Sequence, residues 1–379
     1  MKSLYVLPFF IAFCYSGAKR AEGGAVVAKE HAADRKSAQV LYTMPEEGMP
    51  HEGTWLQWPH QYQYGEAYRD RLDDAWIAMT DALSEGEKVH IIVYDEEEED
   101  RVREMLEEDK ISLKNIDFKV YKTDDVWVRD NGPIYARDAK GNLVIEDWGF
   151  NGWGKKAEFE NCDEIPGRIA SDQNRKYVDL NEVMINEGGA VEVDGNGTLM
   201  ATKSAILNKN RNPGMSQAKA EEIFTKYYGV TNFIWLEGKA GLEITDMHID
   251  GFARFADKNT IVTMSPDDLL EWQVAQNDIN KLFRSTNKNK KKYNFVKLPL
   301  TQENVTTAYG KKLDYPGSYV NYYIANNVVL VPNYKDPNDA VANAIIQKLY
   351  PNREVVGIDV RNLYANGGMI HCVTQQQPR

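Results

Sequence analysis

Cysteine is scarce in this sequence: three in 379 residues, at positions 14, 162 and 372. None forms a CxxC pair or shows zinc-type spacing, which excludes a disulfide framework and the small zinc-stapled folds. Beyond residue 18 no apolar run is long enough to cross a bilayer as a helix. Positive charge is in deficit, with 45 Lys and Arg against 57 Asp and Glu, net −12. Phosphate backbones demand a basic footprint, so nucleic acid is excluded as a partner, while a cationic ligand suits the balance. The acidic run Glu96 to Asp100 reads as a solvated helix face. What remains is ordinary globular material, 42% apolar and 27% charged, ample for a buried core.

The first 18 residues differ from the rest. Lys2 gives a basic start, Leu4 to Phe13 an apolar run, and Ser16-Gly17-Ala18 the small residues of a cleavage site. This predicts a signal peptide and a secreted or periplasmic protein; the alternative is a buried N-terminal strand. A lipid anchor on Cys14 is disfavoured by Phe13, where a small residue is wanted. Residues 19–40, rich in Ala, Lys, Glu and Asp, read as a linker or loose arm, and residues 41–379 as one catalytic domain. Cys162 and Cys372 then remain, and could pair only if their Cα atoms lay within roughly 7 Å. Asn196-Gly197-Thr198 and Asn304-Val305-Thr306 are glycosylation sequons, relevant only in a glycosylating cell.

One pattern recurs from residue 133 onward. Pro133 to Arg137 and Leu143 to Ile145 flank a Lys-Gly-Asn turn, and Ala190 to Val193 and Thr198 to Ala201 flank Asp-Gly-Asn-Gly. Phe252 to Phe255 and Thr260 to Val262 flank Asp-Lys-Asn, and Tyr319 to Ile324 and Val328 to Val331 flank Asn-Asn. Each reads as a hairpin. The turns fall near residues 140, 195, 258 and 326, at similar intervals. Helical stretches lie between several: Ser216 to Tyr228, Pro266 to Phe283 and Pro337 to Leu349. A repeated hairpin-plus-helix unit suggests radial repetition about an axis. Four units are evident, and a fifth would combine Gly53 to Trp58 with the strand approaching Cys372. An ordinary α/β sandwich is the alternative.

Polar residues recur beside glycines where the hairpin strands begin. Asn186-Glu187-Gly188-Gly189 reads like Asn366-Gly367-Gly368, and Asp130-Asn131-Gly132 and Asp250-Gly251 open two more hairpins. In a radial fold these ends converge. The candidate catalytic set is therefore Cys372, His248, Asp130, Asp250 and Glu187. A thiolate is the best side-chain nucleophile near neutral pH. A histidine can protonate a leaving amine and later take a proton from water. Two carboxylates can hold a planar guanidinium. Each has a structural alternative: an inert buried thiol, a satisfied core histidine, a turn aspartate, a local cap. Asp246, His248 and Asp250 alternate, so on a strand they share one face, which with His371-Cys372 is also compatible with a metal site.

The residues also carry a resemblance. The stretches concerned are Thr43-Met44-Pro45-Glu46 with Trp55 to Pro59, Asp125 to Pro133, and Asp147 to Asn151 with Trp153-Gly154. They continue through Glu187-Gly188-Gly189, Leu207 to Pro213, Thr245 to Asp250, and Ile370-His371-Cys372 with Thr374-Gln375-Gln376-Gln377-Pro378. Together they make the chain, from about residue 41 onward, similar to agmatine deiminases and the related Porphyromonas-type peptidylarginine deiminases of the guanidine-modifying superfamily. The resemblance implies the five-bladed α/β propeller of the pentein fold and a cofactor-free, metal-free hydrolysis of a guanidinium to a ureido group and ammonia. It implies Cys372 as nucleophile through a thiouronium intermediate, His248 as acid and base, Asp130 and Asp250 as the guanidinium clamp, and Glu187 against substrate or His248. Trp127 would line the pocket or belong to the core. The substrate expected is agmatine, giving N-carbamoylputrescine; the signal peptide favours arginine within peptides instead. A homo-oligomer is also compatible. Met247 stands where the family usually has glycine, and Asn366 and Met369 interrupt its Gly-Gly-Gly-Asn run. Superfamily members that transfer the amidino group are disfavoured by the Thr-Gln-Gln-Gln-Pro ending. From another functional class, an exported binding protein for cations would keep the two aspartates without turnover.

Overall fold

The structure, a computed structural model, describes residues 39–379. The segment read as a signal peptide, and all of the following arm up to residue 38, lie outside the described residues.

The described chain is an α/β fold with five sheets. Four of them share one plan. An antiparallel hairpin comes first, a helical segment follows, and a third strand returns parallel to the second. Thus Val191–Val193 pairs antiparallel with Thr198–Thr202, the helix Gln217–Tyr228 follows, and Asn232–Leu236 lies parallel to Thr198–Thr202. Ile134–Asp138, Leu143–Asp147 and Tyr177–Asp179 repeat this around Ile165–Asp172, with Tyr42–Thr43 added at the edge. Ala253–Asp257, Thr260–Met264 and Asn294–Leu298 form the next sheet. Tyr323–Ile324, Val328–Asn333 and Glu354–Asp359 form another around the helix Asn338–Leu349. In the fifth, the last strand of the chain, Gln375–Pro378, pairs antiparallel with His51–Gln57, and Lys88–Val93 and Ile116–Val120 add in parallel. The repeat therefore closes in sequence, the C-terminal strand supplying the first half of the unit that His51–Gln57 begins.

Local chemistry accounts for the elements. Ser216 caps Gln217–Tyr228 by accepting from the Lys219 amide, and Gly229, at φ 71°, ends it in the left-handed conformation glycine tolerates. Between these caps Ala220, Ile223, Phe224, Tyr227 and Tyr228 recur at helical spacing and are buried. Val328–Asn333 is a β-branched and leucine run with almost no exposed position, fit for a strand covered on both faces. Helix Glu66–Ser84 presents Leu72, Trp76, Met79 and Leu83 to the core, and Trp76 Nε1 donates to the Gln57 carbonyl at 2.8 Å. Burial of each such side chain contributes about 1.5–3 kcal/mol.

Four expectations change. The third, parallel strand of each unit was not foreseen, because segments such as Tyr177–Asp179 and Asn294–Leu298 are short, half exposed and show little apolar alternation. Pro266 to Phe283 is two helices, Pro266–Glu271 and Gln276–Phe283, broken where Gln273 takes φ 64°. The partner of His51–Gln57 follows Cys372 rather than approaching it. Asp246, His248 and Asp250 are not on a strand. Asp246 and Met247 take φ of 62° and 75°, and Ile249–Gly251 is a single helical turn. The left-handed pair turns the chain, so Asp246 points elsewhere than His248 and Asp250 and the three do not share a face.

The acidic run is indeed on a helix, Glu96–Glu108, begun by the Asp95 cap; only Glu98 is buried there, paired with Arg69 and Arg101.

Candidate active site

Each sheet is preceded by a short turn of helix or loop, and each of these carries one polar side chain to the same place. Asp130 lies in Val128–Asn131, Glu187 caps Gly188–Ala190, Asp250 lies in Ile249–Gly251 with His248 as its cap, and Cys372 lies in His371–Val373. Asn321 does the same ahead of Tyr323–Ile324.

Gly189 shows the convergence most directly. A methyl group built there would stand 2.8 Å from Asp130 Oδ1, 2.8 Å from His248 Nδ1 and 3.0 Å from Asp250 Oδ2. Three functional side chains thus crowd one Cα that has no room for a Cβ. Substitution Gly189→Ala is expected to displace them by a fraction of an ångström and lower kcat/KM about 100-fold, since misplacement on that scale is enough. The check is steady-state kinetics beside a thermal melt, and wild-type kcat/KM in the variant would refute this reading of Gly189.

Asp130 accepts from the Gly189 amide at 3.0 Å and from Trp153 Nε1 at 2.9 Å. Burial raises its carboxyl pKa, which the nearby His248 only partly offsets. Asp250 is also buried, but its hydrogen bond with His371 Nδ1, 2.8 Å, and the charge on that ring hold it below the usual carboxylate range. Cys372 is half-buried; its Sγ lies 3.4 Å from Asn321 Oδ1 and 3.9 Å from Asp250 Oδ2. Burial, then Asp250 and Asp130, push its thiol well above the ordinary cysteine value. Burial and these two anionic neighbours keep the sulfur a thiol at rest.

His248 donates from Nε2 to Glu187 at 3.1 Å, and its Nδ1 lies 3.7 Å from Asp130. Burial works against its charge, yet Asp130 and Glu187 overcome this and raise its pKa to about 9. Glu187 is in turn anchored by Arg211 Nε at 2.8 Å, and Arg211 also reaches Asp246, which Lys156 closes from outside at 2.6 Å. At rest the site holds an imidazolium and a thiol between two carboxylates.

The raised His248 pKa has a consequence for stability. A histidine that binds its proton more tightly folded than unfolded stabilises fully below its unfolded value, near 6.5, and the gain is lost as pH rises through about 9. Wild type should therefore lose about 3 kcal/mol relative to His248→Asn between pH 6 and pH 10. Denaturant melts of both proteins measure the difference; a constant gap across that range would contradict the assignment.

Trp127, the residue with two readings, is buried in the main core, and Gly368 closes against its ring, where a Cβ would sit 2.2 Å from it. Cys162 is buried, its sulfur accepting from the Asp124 amide at 3.2 Å, and burial pushes its thiol up to about 12. Both cysteines are free. Met247 takes a φ favoured by glycine at a cost of about 1–2 kcal/mol, and its side chain is buried in the core. Met369 is buried in the same cluster, and its backbone bears on the Cys372 sulfur.

Sequence reasoning missed Asn321, Arg211 and Glu47 as parts of the site, and read His371 only as compatible with a metal site. Asn321 precedes the strand Tyr323–Ile324 as Asp130, Glu187 and Asp250 precede theirs, but in the sequence Tyr319 to Ile324 reads as one strand, which hides that position.

A thiol, an imidazole and two carboxylates at one buried point are the groups that hydrolysis of a carbon–nitrogen bond in a cation calls for, and similarity points to that class of hydrolase. A family model for Porphyromonas-type peptidyl-arginine deiminases matches residues 43–378, and the chain belongs to that family. It is 33% identical over 361 residues to an agmatine deiminase of Pseudomonas aeruginosa, covering 89% of this chain and 95% of that one. Among solved structures, the agmatine deiminase of Enterococcus faecalis superposes with a TM-score of 0.78 at 26% identity, over 89% of this chain and 96% of that one. A Campylobacter jejuni agmatine deiminase variant with substrate bound gives 0.77 at 25%, over 90% and 97%.

Proposed function

We propose that the protein hydrolyses the guanidinium group of agmatine to N-carbamoylputrescine and ammonia through a covalent intermediate on Cys372. The observation that carries this is the meeting of Asp130, His248 and Asp250 about Gly189, with the Cys372 sulfur beside Asp250. The five sheets are read as the blades of one propeller, whose axis is where these side chains meet.

The geometry supports the following sequence. The guanidinium docks between Asp130 and Asp250, each carboxylate accepting from its nitrogens. Its positive charge offsets the two negative charges that hold the thiol up, so Cys372 loses its proton to solvent as substrate arrives. The thiolate attacks the guanidinium carbon, forming the C–S bond, and the carbon becomes tetrahedral. His248 passes its proton to the departing nitrogen, the C–N bond breaks and ammonia leaves, giving a thiouronium. Now neutral, His248 takes a proton from water as the water oxygen attacks the same carbon. Collapse breaks the C–S bond, the sulfur leaves with the electron pair and takes up the remaining hydroxyl proton, and the ureido product and the resting thiol are released. Glu187 keeps the histidine ring oriented throughout, and Arg211 keeps Glu187 in place. Asp130, Glu187, His248 and Asp250 are all buried, which favours a small linear amine over an arginine within a protein.

The test is ureido-product formation by purified residues 19–379 with EDTA present, on agmatine, free arginine and an internal-arginine peptide side by side. Turnover of agmatine above the other two is expected. Preference for the peptide would move the reading to a peptidylarginine deiminase, and turnover of none would leave the cation-binding alternative.

A further inference from the structure

Beside the reacting side chains lies a second buried charge cluster, centred on Glu47, whose carboxylate meets Asp250 only through the His371 ring. Glu47 Oε2 is 2.8 Å from His371 Nε2, 2.9 Å from Arg254 Nη2 and 3.3 Å from Arg129 Nη2; its Oε1 accepts from the Ile324 amide at 2.9 Å. The placement of these four partners is the informative point. Arg129 adjoins Asp130 in sequence. His371 adjoins Cys372, and its other ring nitrogen is hydrogen-bonded to Asp250. Arg254 lies in the strand that follows Asp250 and also reaches Glu192, in the strand that follows Glu187, at 2.7 Å. Ile324 is in the strand that follows Asn321. One carboxylate thus ties together the neighbours of Asp130, Asp250, Asn321 and Cys372, residues that come from four different sheets.

Burial raises the cost of every charge here, and Glu47 is kept ionised, well below the ordinary range, against that burial by Arg254, His371 and Arg129. A buried ion cluster of this kind is weak evidence for stability, because well-packed apolar side chains often do as well. It does fix geometry, since each partner must point at one atom pair. Arg129 is bound further by the His371 carbonyl at 3.2 Å and Gln376 Oε1 at 2.8 Å, so the backbone of the Cys372 turn is held from the same hub.

We propose that Glu47 is a positioning residue for the reaction, setting, through His371, Arg129 and Arg254, the distance between the Cys372 nucleophile and the Asp130–Asp250 clamp. The proposal rests on the deiminase reading and deepens it. The carboxylate clamp attracts a cation over several ångströms, so a slight loosening costs little binding, whereas attack on carbon depends on sub-ångström approach. Loss of Glu47 should therefore appear in kcat far more than in KM.

The test compares Glu47→Gln, which keeps the shape and removes the charge, with His371→Gln and the double variant. Active sites are titrated by 2-chloroacetamidine, a small amidinium whose alkylation of Cys372 forms a C–S bond and expels chloride. In Glu47→Gln, kcat per titrated thiol is expected to fall roughly 10- to 100-fold with KM within about threefold. The double variant should lose much less than the product of the two single losses, because both act through one contact. A folded Glu47→Gln with wild-type kcat per titrated thiol, or strictly multiplicative losses, would overturn the proposal. If Glu47→Gln does not fold, His371→Gln, which leaves the Arg129–Glu47–Arg254 pairs intact, must still lower kcat, and wild-type kcat there overturns it equally. Should wild type turn over no guanidine, the deiminase reading fails on its own. The second-order rate of chloroacetamidine alkylation then decides the positioning role, with an unchanged rate in Glu47→Gln counting against it.

Discussion

Cys372→Ser is expected to lose turnover by at least about 10⁴-fold while agmatine binding stays within a few-fold of wild type. The structure separates the two functions spatially. In the proposed reaction the cation is held by Asp130 and Asp250, each anchored by groups other than Cys372: Gly189 and Trp153 for the first, His371 for the second. Exchange of sulfur for oxygen leaves those anchors untouched. The nucleophile is another matter. A cysteine thiol, even one held well above its usual value here, comes within reach of ionisation once a guanidinium neutralises its two anionic neighbours. A serine hydroxyl is far less acidic, and the nearby histidine is already protonated: His248 keeps its proton, with a pKa raised to about 9 by Asp130 and Glu187. Asp130 and Asp250, engaged with the cation, are too weak as bases to activate a hydroxyl. Product formation and calorimetric binding of agmatine, measured on the same preparation, give the two readings. Residual turnover near one per cent of wild type would remove Cys372 from the role of nucleophile, and loss of binding would remove Asp130 and Asp250 from that of sole clamp.

The sequence revealed the unit of the fold better than its completion. Hairpins announce themselves through turn residues with special backbone needs, such as Gly141 at φ 83° and Gly195 at φ 64°, and all four were legible. The parallel third strands have no such punctuation. They are recognised by the strand they return to, which is a fact of tertiary structure. The same division applies to the site. Asp130, Glu187 and Asp250 could be picked out because each stands close to a glycine at the opening of a hairpin, and Cys372 and His248 by what a thiol and an imidazole can do. Their supports were not legible. Arg211 lies in a loop 24 residues after Glu187, and Glu47 lies 324 residues before His371. Nothing local marks either as belonging to the site. Met247 shows the opposite case. The φ of 75° at that position gives a physical reason for the glycine usual in the family, and this chain bears the strain in order to bury a methionine.

Arg211→Met should be the most damaging substitution outside the reacting groups, for stability and rate together. The Arg211 side chain is wholly buried, donates from Nε to Glu187 at 2.8 Å, pairs through Nη1 with Asp246, and reaches the Thr245 carbonyl from Nη2 at 3.1 Å. Methionine fills similar volume but offers no donor, so two buried carboxylates each lose a partner. Breaking a buried pair from one side costs about 3–5 kcal/mol, because the remaining charge is stranded. For a domain of this size that corresponds to a Tm lower by roughly 5 °C. Asp246 retains Lys156 and the Gly241 amide, so most of the stranded charge falls on Glu187. Its carboxyl pKa, held low by His248 and Arg211 against burial, should then rise. A less ionised Glu187 orients and charges His248 less well, and the proton that ammonia needs on leaving is no longer in place. Catalysis should therefore fall beyond what the lost stability explains, and the deficit should deepen as pH drops, since protonation of Glu187 is favoured there. Arg211→Lys keeps one charge without the planar fork and should recover most of the Tm but only part of kcat. Thermal melts and pH–rate profiles of the two variants separate these effects. An Arg211→Met protein with wild-type Tm and an unchanged pH profile would show that Glu187 and His248 need no third member.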